Sequence, residues 1–157
     1  MPVRLEQMRA LALVALLAVV AFAPAAAAES GALEPLTIET GAGVHAIEVE
    51  VARTAAERGV GLMHRAELAP EHGMLFDFGA TRQVTMWMKN TLIPLDMFFA
   101  DEDGRIVTIA ERTTPLSEKR IHSGQPVLFV LEMIGGSAER LGIAVGDRLR
   151  HVLIGRQ

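Results

Sequence analysis

Alternating apolar and polar positions give the first structural reading of this chain. In "VHAIEVEVA", residues 44–52, Ile47, Val49 and Val51 fall on one side, Glu48 and Glu50 on the other. A period of two predicts a half-buried strand with the glutamates on its solvated face. Similar apolar runs predict strands over residues 36–40, 74–78, 84–88, 95–100, 105–111, 127–133 and 148–154. Turn-forming stretches separate them: "GAG" at 41–43, "APEHG" at 69–73, a loop "GATRQ" at 79–83, and "DEDG" at 101–104, whose Asp-Gly end marks a hairpin. Residues 113–125 are polar and read as a surface loop.

Two short helices complete the pattern. Thr54-x-x-Glu57 is a capping box opening a helix over residues 55–63, in which the threonine hydroxyl and the glutamate satisfy amides that the first turn leaves free. Gly59 and Gly61 are unexpected inside it, since each costs about 1 kcal/mol relative to Ala. Either the helix is weak or something packs closely on its backbone. A second helix starts at a Ser137 cap behind Gly135-Gly136 and is closed by Gly142. Many short strands with two short helices predict an α+β, β-rich domain: a mostly antiparallel curled sheet or partly closed barrel.

The first residues obey another rule. Arg4 and Arg9 precede an uninterrupted apolar run from Ala10 to Ala23, and small residues at Ala26 and Ala28 match the A-x-A cleavage pattern. The run is shorter than the ~20 residues that span a bilayer. Residues 1–28 therefore read as a signal peptide, with an uncleaved anchor as the alternative, residues 29–35 as a flexible leader, and 36–157 as a single domain. The expected location is periplasmic or secreted, with membrane contact only through the signal segment before cleavage.

Composition narrows the chemistry. Removing residues 1–28 takes away two Arg and one Glu, so the net charge moves from −4 to −5. Cations are scattered, and nucleic-acid binding needs them clustered. No cysteine is present, which excludes disulfides, thiol nucleophiles, thiolate zinc sites and iron–sulfur clusters. Nucleotide-binding glycine motifs, G-x-S-x-G and H-E-x-x-H are absent as well.

The chain's one tryptophan and one of its two lysines share "WMKNTLIPLD", residues 87–96. Polar groups in so apolar a stretch are costly unless satisfied or used. Asn90 suits a tight turn, and Pro94 fixes the backbone. Asp96 is expected near Lys89. The pair either holds two strands in register, or Lys89 and Asn90 bind a ligand with Asp96 as base or orienting group. Glu132, inside an apolar strand, is a second candidate, bonded either to backbone amides near Gly135-Gly136 or to an arginine such as Arg58 or Arg65. Met63, Met74, Met86 and Met88 with His64 and His72 raise Cu(I) binding as a further possibility, against their use as core filler.

The ordered set "VARTAAERGVGLMHR", "GMLFDF", "WMKNTLIPLDMFF", "DGRIV" and "VLEM-GG-AERLGI-VGDRL" closely resembles the domain of unknown function 192 family, over residues 49–149. The resemblance implies a compact β-rich fold and carries over no reaction, substrate or cofactor. Relatives often have a longer segment, sometimes with Cys or Tyr, where this chain has "SEKRIHSGQP". The favoured expectation is a non-enzymatic module binding a small molecule or an envelope protein, with Trp87, Lys89, Asn90, Asp96, Arg65 and Glu132 as candidate ligand contacts. A small hydrolase-like enzyme using Lys89 with Asp96 or Glu132, and periplasmic copper binding through Met and His, are the alternatives.

Overall fold

The structure is a computed structural model and describes residues 31–155. The expected signal peptide and the first two leader residues lie outside them. In chain order the elements are β1 Glu34–Thr40, β2 Gly43–Ala52, α1 Ala55–Val60, β3 His72–Met86, β4 Leu95–Ala100, β5 Ile106–Ala110, β6 Ile121–Ile134, α2 Ser137–Leu141 and β7 Arg148–Arg150. Among these residues no helix is long and apolar enough to cross a membrane.

All seven strands join one sheet, in the order β5-β4-β6-β3-β2-β1-β7. It curls into a half-barrel whose edges meet at one end. Arg105 bridges Arg148, the Ile106 amide donates to the Asp147 carbonyl at 2.8 Å, and the Leu149 amide donates to the Gly104 carbonyl at 2.8 Å. This seam requires a glycine at 104: a Cβ there would lie 2.3 Å from the Leu149 carbonyl oxygen.

The sheet is mixed rather than purely antiparallel. β2 and β3 pair in parallel, from Glu48↔His72 to Ala52↔Phe76. Parallel neighbours cannot be joined by a tight hairpin. The chain therefore leaves the sheet after Ala52, forms α1, and returns at His72. The capping box opens α1 as expected: the Glu57 amide donates to the Thr54 hydroxyl at 3.1 Å and the Thr54 amide to the Glu57 carboxylate at 2.7 Å. The helix ends at Val60, three residues short of the expected boundary. Gly61 turns there at φ 49° because the Phe76 ring lies against it, 3.0 Å from where a Cβ would stand.

Two other boundaries differ from the sequence reading. "GATRQ" continues β3 instead of looping, through irregular register between Asp77 and Arg82 against β6. Its exposed polar residues gain backbone bonds from β6, which starts at Ile121 and takes up part of the expected surface loop. The last strand stops at Arg150 rather than Ile154.

Two apolar clusters occupy the two faces of the sheet. Inside the curl, Leu36, Ile38, Val49, Leu75, Phe98, Ile106, Phe129, Leu131 and Leu149 pack together. On the outer face, Leu62, Met74, Phe76, Met88, Leu95, Met97, Phe99 and Val130 form the second cluster. Strand β4 is buried along its whole length because it feeds both.

Candidate functional site

The outer face carries one transverse row of side chains. Register aligns Glu50 with Met74, Met74 with Glu132, and Glu132 with Met97 across β2, β3, β6 and β4. Two of these four residues are acids, and they are treated differently. Arg65 clamps Glu50 with two bonds, at 2.5 and 2.7 Å. That contact, working against partial burial, holds the Glu50 carboxyl below its usual range. The strand pattern put Glu50 on a solvated face, yet it is buried, because the crossover between β2 and β3 folds over it and supplies Arg65.

Glu132 has no such partner. Its residue is 4% exposed, and among the described residues no hydrogen bond or ion pair reaches its carboxyl. Neither Arg65, committed to Glu50, nor Arg58, whose Nη1 donates to the Arg53 and Asp77 carbonyls at 2.6 and 2.7 Å, bonds it. Burial alone pushes its pKa up to about 8, since nothing repays the cost of desolvating a charge. Its position is fixed closely: a Cβ on Gly73, on the neighbouring strand, would come within 2.7 Å of the Glu132 carbonyl oxygen.

The Glu132 carboxyl faces a pocket of about 170 Å³. Phe76, Phe78, Thr85 and Met86 of β3 line one wall. Residues 58–63, from α1 and the turn after it, form the opposite wall, and Trp87 and Thr91 complete it. Trp87 is 46% exposed and Val60 is also exposed, so the mouth is apolar and open. A cavity of about 150 Å³ accommodates benzene, which sets the scale of an occupant.

Asp96 is part of another construction. It is completely buried on the inner face and accepts three backbone hydrogen bonds: from Arg112 at 2.7 Å, Gly136 at 3.0 Å and Ala138 at 2.8 Å. The expected Lys89–Asp96 pair does not form. The anion at the glycine-rich start of α2 is Asp96, not Glu132. Gly136 in the left-handed conformation caps that helix, while the Ser137 hydroxyl donates to the Ile134 carbonyl instead. Lys89 folds back over Trp87, its Nζ 5.3 Å from the ring centroid. Asn90 forms the expected turn, with φ 55°. Its carbonyl accepts from the His64 amide at 2.9 Å and its Nδ2 approaches the Met63 sulfur at 3.9 Å, tying this turn to the far wall of the pocket.

Of the six candidate contacts, Trp87 and Glu132 line the pocket. Lys89 and Asn90 stand behind its walls, Arg65 braces the neighbouring acid, and Asp96 is on the opposite face. Met63, Phe76, Phe78, Thr85, Met86 and Thr91 were not singled out as contacts. Only the tertiary approach of the β2–β3 crossover to the end of β3 brings them together, and no local spacing encodes it. Among the copper candidates, Met63 and Met86 line the pocket, Met88 is buried with its sulfur accepting from the Thr113 hydroxyl at 3.1 Å, and His72 is 3.6 Å from Glu48. Among the described residues no group of three or more His, Cys, Asp or Glu side chains is placed to hold a metal ion.

Comparison with known proteins agrees with this architecture. A Sinorhizobium meliloti crystal structure, provisionally described as a transcription regulator, is 50% identical with a TM-score of 0.76, covering 78% of this chain and 95% of that one. A Novosphingobium aromaticivorans protein of unknown function is 43% identical, also with a TM-score of 0.76, covering 83% and 94%. No curated protein matches the chain. The model of the domain of unknown function 192 family, described as an uncharacterized ACR, matches residues 36–151, and the chain belongs to that family.

Proposed function

We propose that this protein is an exported, non-enzymatic binding module that takes a small molecule, or one apolar side chain of an envelope partner, into the pocket over Glu132. The observation that carries the reading is the buried Glu132 carboxyl, facing an open apolar pocket with no protein partner. The carboxyl lies at the base of the pocket, where its oxygens are open to an occupant rather than sealed in the core, and carboxyls whose pKa is raised in a cleft concentrate where function requires them. The basic n-region and apolar run of residues 1–28 support export. The regulator description attached to one similar structure finds little support in this chain, whose net charge is −4 with scattered cations.

An enzymatic reading rests on the same residue, because a carboxyl with a raised pKa in a cleft is suited to general acid–base work. Asp96 contributes nothing to it, since three amides occupy its carboxylate on the other face.

A fragment screen followed by thermal shift tests the binding reading. A ligand at 100 times its Kd stabilises the folded protein by about 2.7 kcal/mol. The expected result is stabilisation that disappears in Glu132→Leu. Hits that stabilise both proteins equally would place binding elsewhere and end the reading.

A further inference from the structure

Three of the pocket's other polar side chains are already engaged. The Thr85 hydroxyl pairs with His122 Nδ1 at 3.0 Å, the Thr91 hydroxyl with the Lys89 carbonyl at 3.3 Å, and Arg58 with two backbone carbonyls. Among the described residues, the lining side chains whose polar groups have no hydrogen bond are Glu132, with its buried carboxyl, and Trp87, whose half-exposed ring carries its indole N–H. A ligand therefore meets the Glu132 carboxyl at the base of the pocket and the Trp87 ring at its mouth.

The charges around this chamber decide what the carboxyl recognises. Arg58 and Arg82 stand over the Phe78 ring, at 5.3 and 5.2 Å from its centroid, and Lys89 over Trp87 at 5.3 Å. Two of the three aromatic rings that would attract an ammonium already carry the protein's own cations. The remaining charged neighbours do not reverse this. Glu50 is neutralised by Arg65 and His122 is turned to Thr85. Two carboxylates, Asp77 bonded to the Gly79 amide and Glu57 bonded to the amides of the α1 cap, offset part of the positive charge. Three cations against two carboxylates leave a net positive field, which favours a ligand anion over a cation.

We infer that the pocket binds a small apolar monocarboxylate, its body against Phe76, Met63 and Met86 and one carboxylate oxygen accepting a hydrogen bond from the Glu132 carboxyl. This rests on the binding reading above and adds the class of ligand. Glu132 serves as the donor because burial keeps its proton on through neutral pH. The resulting O–H···O⁻ bond is of the strong, charge-assisted kind. Binding requires that proton, so affinity is level below pH 7 and falls about tenfold per unit once pH exceeds about 8.

Benzoate, benzyl alcohol and benzylamine, matched in size and differing in charge, test the inference on the full-length protein. The readouts are the methyl NMR signals of Met63 and Met86 at pH 6.5 and 9. Benzoate should shift both methyls and bind about tenfold more weakly at the higher pH. Glu132→Gln, whose amide still donates, should bind benzoate equally at both pH values, and Glu132→Leu should lose it. Preferential benzylamine binding that rises with pH and is lost in Glu132→Gln would overturn the ligand class while leaving the binding reading intact. Benzoate binding undiminished in Glu132→Leu would also overturn it. If none of the three probes moves either methyl, the ligand class is overturned, while the binding reading is decided separately by the fragment screen on the native protein and Glu132→Leu.

Discussion

Asp96 and Glu132 are buried acids on adjacent strands, one register step apart: Asp96 pairs with Met133, and Glu132 with Met97. Both interrupt apolar runs, and neither is more than 4% exposed. Their surroundings differ completely. Asp96 points into the curl, where three amides from the end of β5 and the start of α2 converge on it. Glu132 points outward, into a space its neighbours leave open. Burial therefore does not distinguish a structural acid from an available one. The partners do: a satisfied carboxylate holds elements together, and an unsatisfied one leaves its oxygens facing the pocket.

The largest expected effect comes from removing the satisfied acid. Asp96→Ala leaves three amides without an acceptor and unpins α2, and is expected to destabilise the domain by roughly 3–5 kcal/mol in urea denaturation. A loss below about 1 kcal/mol would end the distinction drawn here. The next effect is in pH dependence. Glu132 has a folded pKa of about 8 against an ordinary value of 4.5, so between these values the unfolded chain gives up a proton that the folded protein keeps. Stability should fall as pH rises through this window, by an amount on the order of a few kcal/mol, and level off above it. Glu50 acts oppositely and at lower pH: its pKa is lowered by Arg65, so its contribution is present above its ordinary pKa and disappears on acidification. Denaturation curves of Glu132→Gln should lack the alkaline decline and keep the acid limb.

At neutral pH, Glu132→Leu is expected to raise stability by roughly 1–3 kcal/mol, because an apolar side chain of similar size replaces an unbonded carboxyl. A loss comparable to that of Asp96→Ala would show that Glu132 is structural after all. The smallest effect belongs to Lys89→Ala. The lysine stacks on a half-exposed ring, and such contacts contribute about 0.5–1 kcal/mol. A chemical denaturation shift larger than this would restore Lys89 to a central role.

Much of the fold was legible locally. The Thr54–Glu57 box, the Asn90 turn, the Asp-Gly hairpin and the half-buried strands each depend on neighbouring residues, and local chemistry specified them. The parallel β2–β3 pairing was not legible, because a strand's periodicity says which face is buried and nothing of the partner's direction. For the same reason Glu50 was misplaced: its burial comes from Arg65 and the crossover, fifteen residues away in sequence. Glu132 stood out in the sequence as an acid in an apolar strand. Which carboxylate receives the amides near Gly135-Gly136 depends on the register of β4 against β6, and no single segment contains that information.

The parallel pairing has a further consequence. Between β2 and β3 the chain must travel from one end of the sheet to the other, and residues 53–71 are that detour. The inner cluster does not depend on them: α1 buries no residue, and the half-barrel is sewn shut at its own seam. Half of the pocket's wall is thus made of chain that the parallel pairing obliges to exist. That chain is tied to the outer face at three points: Gly61 lies against Phe76, Leu62 enters the outer cluster, and Arg65 holds Glu50. A substitution after Ala52 is therefore expected to change the pocket and the outer cluster together while the inner cluster stays intact.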